Sequence, residues 1–167
     1  MKKLLLLLTV FSSLFSFSQE NLENKDSTEE QGVPIVIVER APAFKGCTGD
    51  TRQIIACTGL KMRKFVAKHF DVERAKCLKF KMKYHKQLKK KVKVCKEEIQ
   101  TNRARIKTSF VIDKDGSLTD ITAASGFPTL DAEAIRVLKM MPKLEPGEQR
   151  GKKVRVRMRL PILFRLQ

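Results

Sequence analysis

The stretch Val154-Arg155-Val156-Arg157-Met158-Arg159-Leu160-Pro161-Ile162-Leu163-Phe164-Arg165-Leu166 decides the fold. Val154, Val156, Met158, Leu160, Ile162, Phe164 and Leu166 fall on one side, and Arg155, Arg157, Arg159 and Arg165 on the other. That period of two is the pattern of a strand with one buried face. Pro161 stands on the arginine side and cannot donate to a ladder, which predicts an edge strand, or an unpaired stretch of one. Arginines and a proline guard such an edge against casual pairing and leave it available to a chosen partner.

Working back from this strand, Pro146-Gly147 reads as a turn, and Leu130, Ala134, Leu138 and Met141 recur at helical spacing until Pro142 ends the run. From Ala104 the period is again two, with Ile106, Thr108, Phe110 and Ile112 on one face. Asp113-Lys114-Asp115-Gly116 closes a hairpin, with Gly116 supplying positive φ, and Ser117 to Ala124 returns as the second strand. The 130–141 helix is expected to pack across this hairpin. A calcium loop is excluded, because the carboxylate it needs eleven positions after Asp113 is replaced by Ala124.

Upstream the pattern is helical. Leu60 to Phe70 has helical spacing, with Asp71 placed to cap a second helix, and Val72 to Ile99 carries Cys77, Phe80, Tyr84, Leu88, Val92, Cys95 and Ile99 three and four apart. Lysines occupy most of the remaining positions, so the expectation is a basic helical region with Lys79, Lys83, Lys86, Lys89, Lys90 and Lys93 on its surface. In one straight helix Cys77 and Cys95 would stand ~27 Å apart and could not bond. Either the region folds back near His85 to Lys89, or its cysteines pair with Cys47 and Cys57. A bridge between Cys47 and Cys57 is sterically easy and would stabilise by roughly 2 to 3 kcal/mol. Val33 to Val38, interrupted by Pro34, reads as a short edge strand.

The chain opens with Lys2-Lys3, the apolar run Leu4 to Val10, and Ser16-Phe17-Ser18 before Gln19, the pattern of a cleaved signal peptide over 1–18. Read instead as a membrane anchor, Leu4 to Gln19 spans only ~24 Å against the roughly 30 Å of a hydrocarbon core. An uncleaved segment would keep the chain at the inner membrane. Residues 19–31 hold five acids and Lys25, a net −4, and read as a disordered lead-in. The full chain carries +17, and from Lys61 to Lys107 18 Lys or Arg face only Asp71, Glu73, Glu97 and Glu98, a net +14. Export to the periplasm favours disulfides over metal ligands for the four cysteines. No C-x-x-C or H-x-x-x-H spacing supports zinc, and no nucleophile–base pair or phosphate-binding glycine loop supports an enzyme or a small-molecule cofactor.

The order strand, D-K-D-G hairpin, strand, helix, final strand resembles TonB C-terminal domains, especially those of Bacteroidetes-type bacteria. The residues that carry the resemblance are Phe110-Val111-Ile112-Asp113-Lys114-Asp115-Gly116-Ser117, Leu130 to Val137, Met141-Pro142-Lys143, Pro146 to Val154 and Leu160-Pro161-Ile162-Leu163-Phe164. Val33-Pro34, Val38-Glu39, Pro42 and Phe44-Lys45-Gly46-Cys47 are similar to the segment preceding the domain in those forms, with Lys45 in place of proline. The resemblance covers about residues 33–70 and 104–167. It implies an α+β fold: a small antiparallel sheet, made of a hairpin plus a C-terminal edge strand, with one packed helix. The lysine-rich helical insertion precedes it. The expected division is 1–18 signal peptide, 19–31 acidic lead-in, 32–103 N-terminal strand, stapled loop and basic helices, and 104–167 the TonB C-terminal-like domain.

The function the resemblance implies is docking of a short peptide from a TonB-dependent outer-membrane receptor, or another envelope protein, by strand addition. Lys153, Val154, Arg155, Val156, Arg157, Met158, Arg159, Leu160, Ile162 and Phe164 are the expected docking edge. Leu4 to Phe17 has no histidine and 19–31 no proline, so the expectation is an exported binding module rather than a complete energy transducer. Two alternatives stand beside it: an adaptor whose basic helices bind anionic lipid or cell-wall surface, and a regulatory protein whose Val33 to Val38 segment fills its own sheet edge. Nucleic acid is excluded as a partner by export and by the poverty of aromatics for base stacking around Phe80 and Tyr84.

Overall fold

The computed structural model describes residues 32–165. The predicted signal segment, the acidic lead-in and Leu166 lie outside the described residues. Within them the chain forms β1 (Val33–Pro34), a 3-10 turn (Ile35–Ile37), α1 (Thr51–His69), α2 (Val72–Ala75), β2 (Cys77–His85), β3 (Lys90–Glu98), β4 (Arg103–Ile112), β5 (Leu118–Ala124), α3 (Pro128–Lys139), β6 (Gly147–Gln149), β7 (Lys152–Val154) and β8 (Val156–Arg165). This is an α+β fold whose main sheet runs β1-β8-β4-β5.

Strands β4 and β5 form as their alternation predicts, with Gly116 at φ +84° in the turn between them. A second constraint acts on Gly116. A Cβ there would lie 1.8 Å from the Leu144 carbonyl oxygen, because the chain leaving α3 crosses the turn and the Leu144 N–H donates to the Gly116 carbonyl at 2.9 Å. Helix α3 packs on the sheet with Leu130, Ala134, Val137 and Leu138 fully buried, and it shares one core with Met62, Val66 and Phe70 of the α1 segment and with Ile106, Phe110, Ile112, Met158, Leu160 and Ile162.

The lysine-rich region corrects the helical expectation. Only Val72–Ala75 is helical, capped by Asp71, whose side chain accepts from the Arg74 N–H at 2.9 Å. The rest is an antiparallel hairpin, β2 with β3, reversing over residues 86–89. The three-and-four spacing from Cys77 to Ile99 is coincidental, and Lys79, Lys81 and Lys83 alternating with Phe80, Met82 and Tyr84 was the strand signal. Pairing places Cys77 opposite Glu98 and Phe80 opposite Cys95, with register shifts between Cys77 and Phe80; the Cys77–Cys95 disulfide closes across this irregular root at a Cα separation of 5.7 Å, and Cys47–Cys57 forms at the same separation.

Three boundaries also differ. Helix α1 starts at Thr51, not Leu60, because Asp50 and Gln53 make a reciprocal capping box: Gln53 N–H to Asp50 Oδ1 at 2.8 Å and Asp50 N–H to Gln53 Oε1 at 3.0 Å. Cys57 therefore lies in a helix rather than an irregular loop. Gly147 is in β6, and the turn belongs to Arg150 and Gly151, at φ 50° and 69°. The Val33 to Val38 run is a strand for two residues only.

Candidate functional site

Strand β8 is built as its alternation demands: Val156, Met158, Leu160 and Ile162 point into the core while Arg159, Pro161 and Leu163 are exposed. One side of β8 pairs with β4 along its whole length, from Arg103 opposite Arg165 to Ile112 opposite Val156. On the other side β1 runs parallel, pairing Val33 with Val156 and Pro34 with Arg157, and the Val33 N–H donates to the Arg155 carbonyl at 2.8 Å. The final strand is thus flanked on both sides at its start. Among the described residues, no strand lies beside its outer side beyond Arg157.

That outer side has a defined polarity. Because the Arg155 carbonyl points toward β1, the backbone groups of every second residue, Arg157, Arg159, Pro161, Leu163 and Arg165, point the same way. Pro161 falls on one of these outward positions, so its missing N–H removes nothing from the β4 ladder. On the inward set, the Leu160 carbonyl accepts from the Thr108 hydroxyl at 2.6 Å. Beside the outward edge, Arg63, Val66 and Ala67 of α1 face Pro161, Ile162, Leu163 and Phe164 across a cleft of about 210 Å³. The far end of the cleft is held by Phe164 stacked on Phe70 at 4.0 Å. Leu163 is 72% exposed at its rim.

The remaining residues of the predicted edge divide. Lys153 and Val154 belong to β7, paired with β6 outside the main sheet, so they do not line this edge. Arg155 sits between the strands and binds Asp120 at 2.8 Å and Asp113 at 3.5 Å. A bulge opposite Phe110 in β5 puts Asp120 at φ 49°, which aims its carboxylate there. The role of α1 in flanking the edge had no signal in the strand itself.

The predicted basic residues Lys79, Lys83, Lys86, Lys89, Lys90 and Lys93 are all exposed on the β2–β3 hairpin, not on one helical stripe. Lys79 pairs with Glu97 at 2.6 Å and Lys93 lies 4.1 Å above the Phe80 ring. The root of the hairpin is tied to α3. Buried Glu133 accepts from the Asp71 N–H at 2.9 Å and from Arg136 Nε at 2.8 Å, and Arg136 also donates to the His69 carbonyl at 2.8 Å. Burial raises the Glu133 pKa, but the hydrogen bonds from Arg136 and Asp71 outweigh it and leave the group below the ordinary glutamate range. Asp115 is held well below the carboxylate range by Lys143, 2.6 Å away, and by Ser117.

Among the described residues no group of three or more His, Cys, Asp or Glu is placed to hold a metal, and no helix is long and apolar enough to cross a membrane. Comparison with curated proteins and with solved structures returns no match. The family model for the Gram-negative bacterial TonB protein C-terminal matches residues 97–166, which takes in β4, β5, α3 and β6 to β8 but not the similar segment upstream at 33–70. Domains of that family belong to envelope-associated energy transducers, are not enzymes and interact with outer-membrane receptors. Residues 97–166 are a TonB-family C-terminal domain.

Proposed function

We propose that this chain is a periplasmic docking module that takes up an extended peptide of a TonB-dependent outer-membrane receptor as an added strand on the outer side of β8. The observation that carries the reading is the stretch from Arg159 to Arg165, which continues the line of β1, has no strand beside it among the described residues and lies against the apolar cleft of α1. Backbone pairing supplies affinity, and alternate side chains entering the cleft supply choice. Of the predicted edge, Arg159, Leu160, Ile162 and Phe164 fall in this stretch, joined by Pro161, Leu163 and Arg165; Val156 and Arg157 are paired with β1, and Lys153 and Val154 with β6.

The test is amide exchange on the full chain with a synthetic peptide from a receptor N-terminus. Added protection is expected at Arg159, Leu163 and Arg165, whose N–H groups point outward, and none at Leu160 or Ile162, which already pair with β4. A Leu163→Pro variant removes one outward donor and should weaken the peptide roughly tenfold, which one charge-independent backbone bond plus its desolvation can account for. No binding, or protection confined to the β2–β3 hairpin, sinks the reading.

A second reading has its own observation. Met82, Tyr84 and Leu88 are more than half exposed among the lysines of the hairpin, which suits docking on an anionic lipid surface. Salt-sensitive binding to anionic vesicles that survives Leu163→Pro would favour it. The self-blocking reading rests on β1, which fills the Val156–Arg157 positions and then turns away; deleting residues 19–40 should then raise peptide affinity.

A further inference from the structure

The face of the main sheet opposite α3 carries a charge pattern that the docking edge does not use. Arg103, Arg105 and Lys107 of β4 alternate with core residues and are exposed. They lie opposite Arg165, Leu163 and Pro161 of β8, and Ser109 lies opposite Arg159. Cross-strand partners share a face, so one surface gathers cations from both strands. Two adjoining hollows run along it, about 630 Å³ lined by Ser109, Val111, Asp120, Thr122, Arg155, Arg157 and Arg159, then about 480 Å³ lined by Arg105, Lys107, Thr122, Arg159 and Pro161. The acids at this face, Asp113 and Asp120, are both at its Arg155 end.

Val111 faces the same way yet is only 4% exposed. Gly32 covers it. A Cβ on Gly32 would lie 3.2 Å from Val111 Cγ1 and 3.3 Å from the Arg157 nitrogen, and Gly32 has φ +76°. Gly32, next to β1, therefore lies against the cationic face at its Arg157 end. The thirteen residues before it, 19–31, carry the five acids Glu20, Glu23, Asp26, Glu29 and Glu30 against Lys25.

We propose that residues 20–30 dock in cis along this arginine face, so that the acidic segment is the ligand of the sheet's outer surface. Reach is sufficient. Ten extended steps from Glu30 to Glu20 cover ~33 Å, whereas Arg157 to Arg165 spans ~26 Å of strand. A short tether holds the segment at an effective concentration in the mM range, which lets individually weak exposed pairs act together. The proposal concerns the face of the sheet and stands or falls independently of peptide docking at its edge.

A nitroxide on Ser27→Cys in the full chain reads the contact directly, the four native cysteines being bridged. At low salt the amides of Ser109, Thr122 and Arg159 should broaden, and they should recover at about 1 M salt, where screening falls to ~3 Å. Neutralising the five acids to Gln or Asn should abolish the broadening. The neutralised chain should also bind a synthetic peptide of residues 19–31 at least about fivefold more tightly than the parent, because the competing segment in cis is gone. Broadening that is absent at low salt, that persists in the neutralised chain, or that falls on Lys81 to Lys93 instead overturns the proposal. Equal affinity of the two chains for the added peptide does so too.

Discussion

The hairpins β2–β3 and β4–β5 alternate apolar and charged residues in similar ways and are held by opposite means. In β4 the alternate residues Ala104, Ile106, Thr108, Phe110 and Ile112 are buried against α1, α3 and β8. In β2 every residue from Lys79 to His85 is exposed, and the hairpin is tied down at its root by the Cys77–Cys95 bridge and by Lys76, whose pKa the Glu73 hydrogen bond raises. Burying one Ile or Phe side chain contributes roughly 1.5 to 3 kcal/mol, a source of stability that β2 largely lacks. Alternation alone therefore does not tell a core strand from an exposed ribbon; what differs is whether a second apolar surface meets it.

The strongest way to break this comparison is Phe110→Ala, at a site with no exposure. It should lower global stability by about 3 to 5 kcal/mol in denaturant unfolding, with both hairpins lost in one transition. Replacing Cys77 and Cys95 together by Ser should cost about 3 kcal/mol, but locally. Amides from Lys79 to Lys93 should lose exchange protection while Ile106 to Phe110 keep theirs, and a collapse of the β4 amides would mean that the bridge supports the core as well. Glu133→Gln should cost about 2 kcal/mol by leaving Arg136 without its carboxylate. Because the folded pKa of Glu133 is depressed, its contribution is complete above the ordinary Glu titration near ~pH 4 and is lost as pH falls below it, so the parent and the variant should converge in acid. Met82→Ala, at an exposed position of the ribbon, should change stability by less than about 0.5 kcal/mol.

The same contrast explains what was legible in the sequence. Strands β4 and β8 and helix α3 could be read because each has one buried face, and β5 because Leu118, Ile121 and Ala123 are half-buried against the same core, so polarity and periodicity agree; the Asp113–Gly116 turn was legible from its turn residues. The β2–β3 ribbon has no buried face. Its apolar residues were free to fall at helical spacing, and a ribbon stands where a helix was expected; of the two alternatives for the cysteines, the fold-back near His85 to Lys89 is the one that forms, as strands rather than helices. The start of α1 carries its own local signal, the Asp50-Thr51-Arg52-Gln53 capping box. For the candidate edge, Pro161 marked the outward side of β8 correctly. That the first two positions are filled by Val33 and Pro34, and that α1 walls the rest, depends on contacts between segments far apart in sequence, which no local pattern encodes.

Pro161 has one more consequence for any strand laid along that edge. The outward row offers donors at Arg159, Leu163 and Arg165 and a gap between the first two. A visiting strand that placed a carbonyl opposite the gap would leave that oxygen unanswered, while a register that put a side chain or a solvent-facing carbonyl there would not. The proline thus acts as a phase mark, rejecting misaligned sequences by omission rather than by any contact of its own.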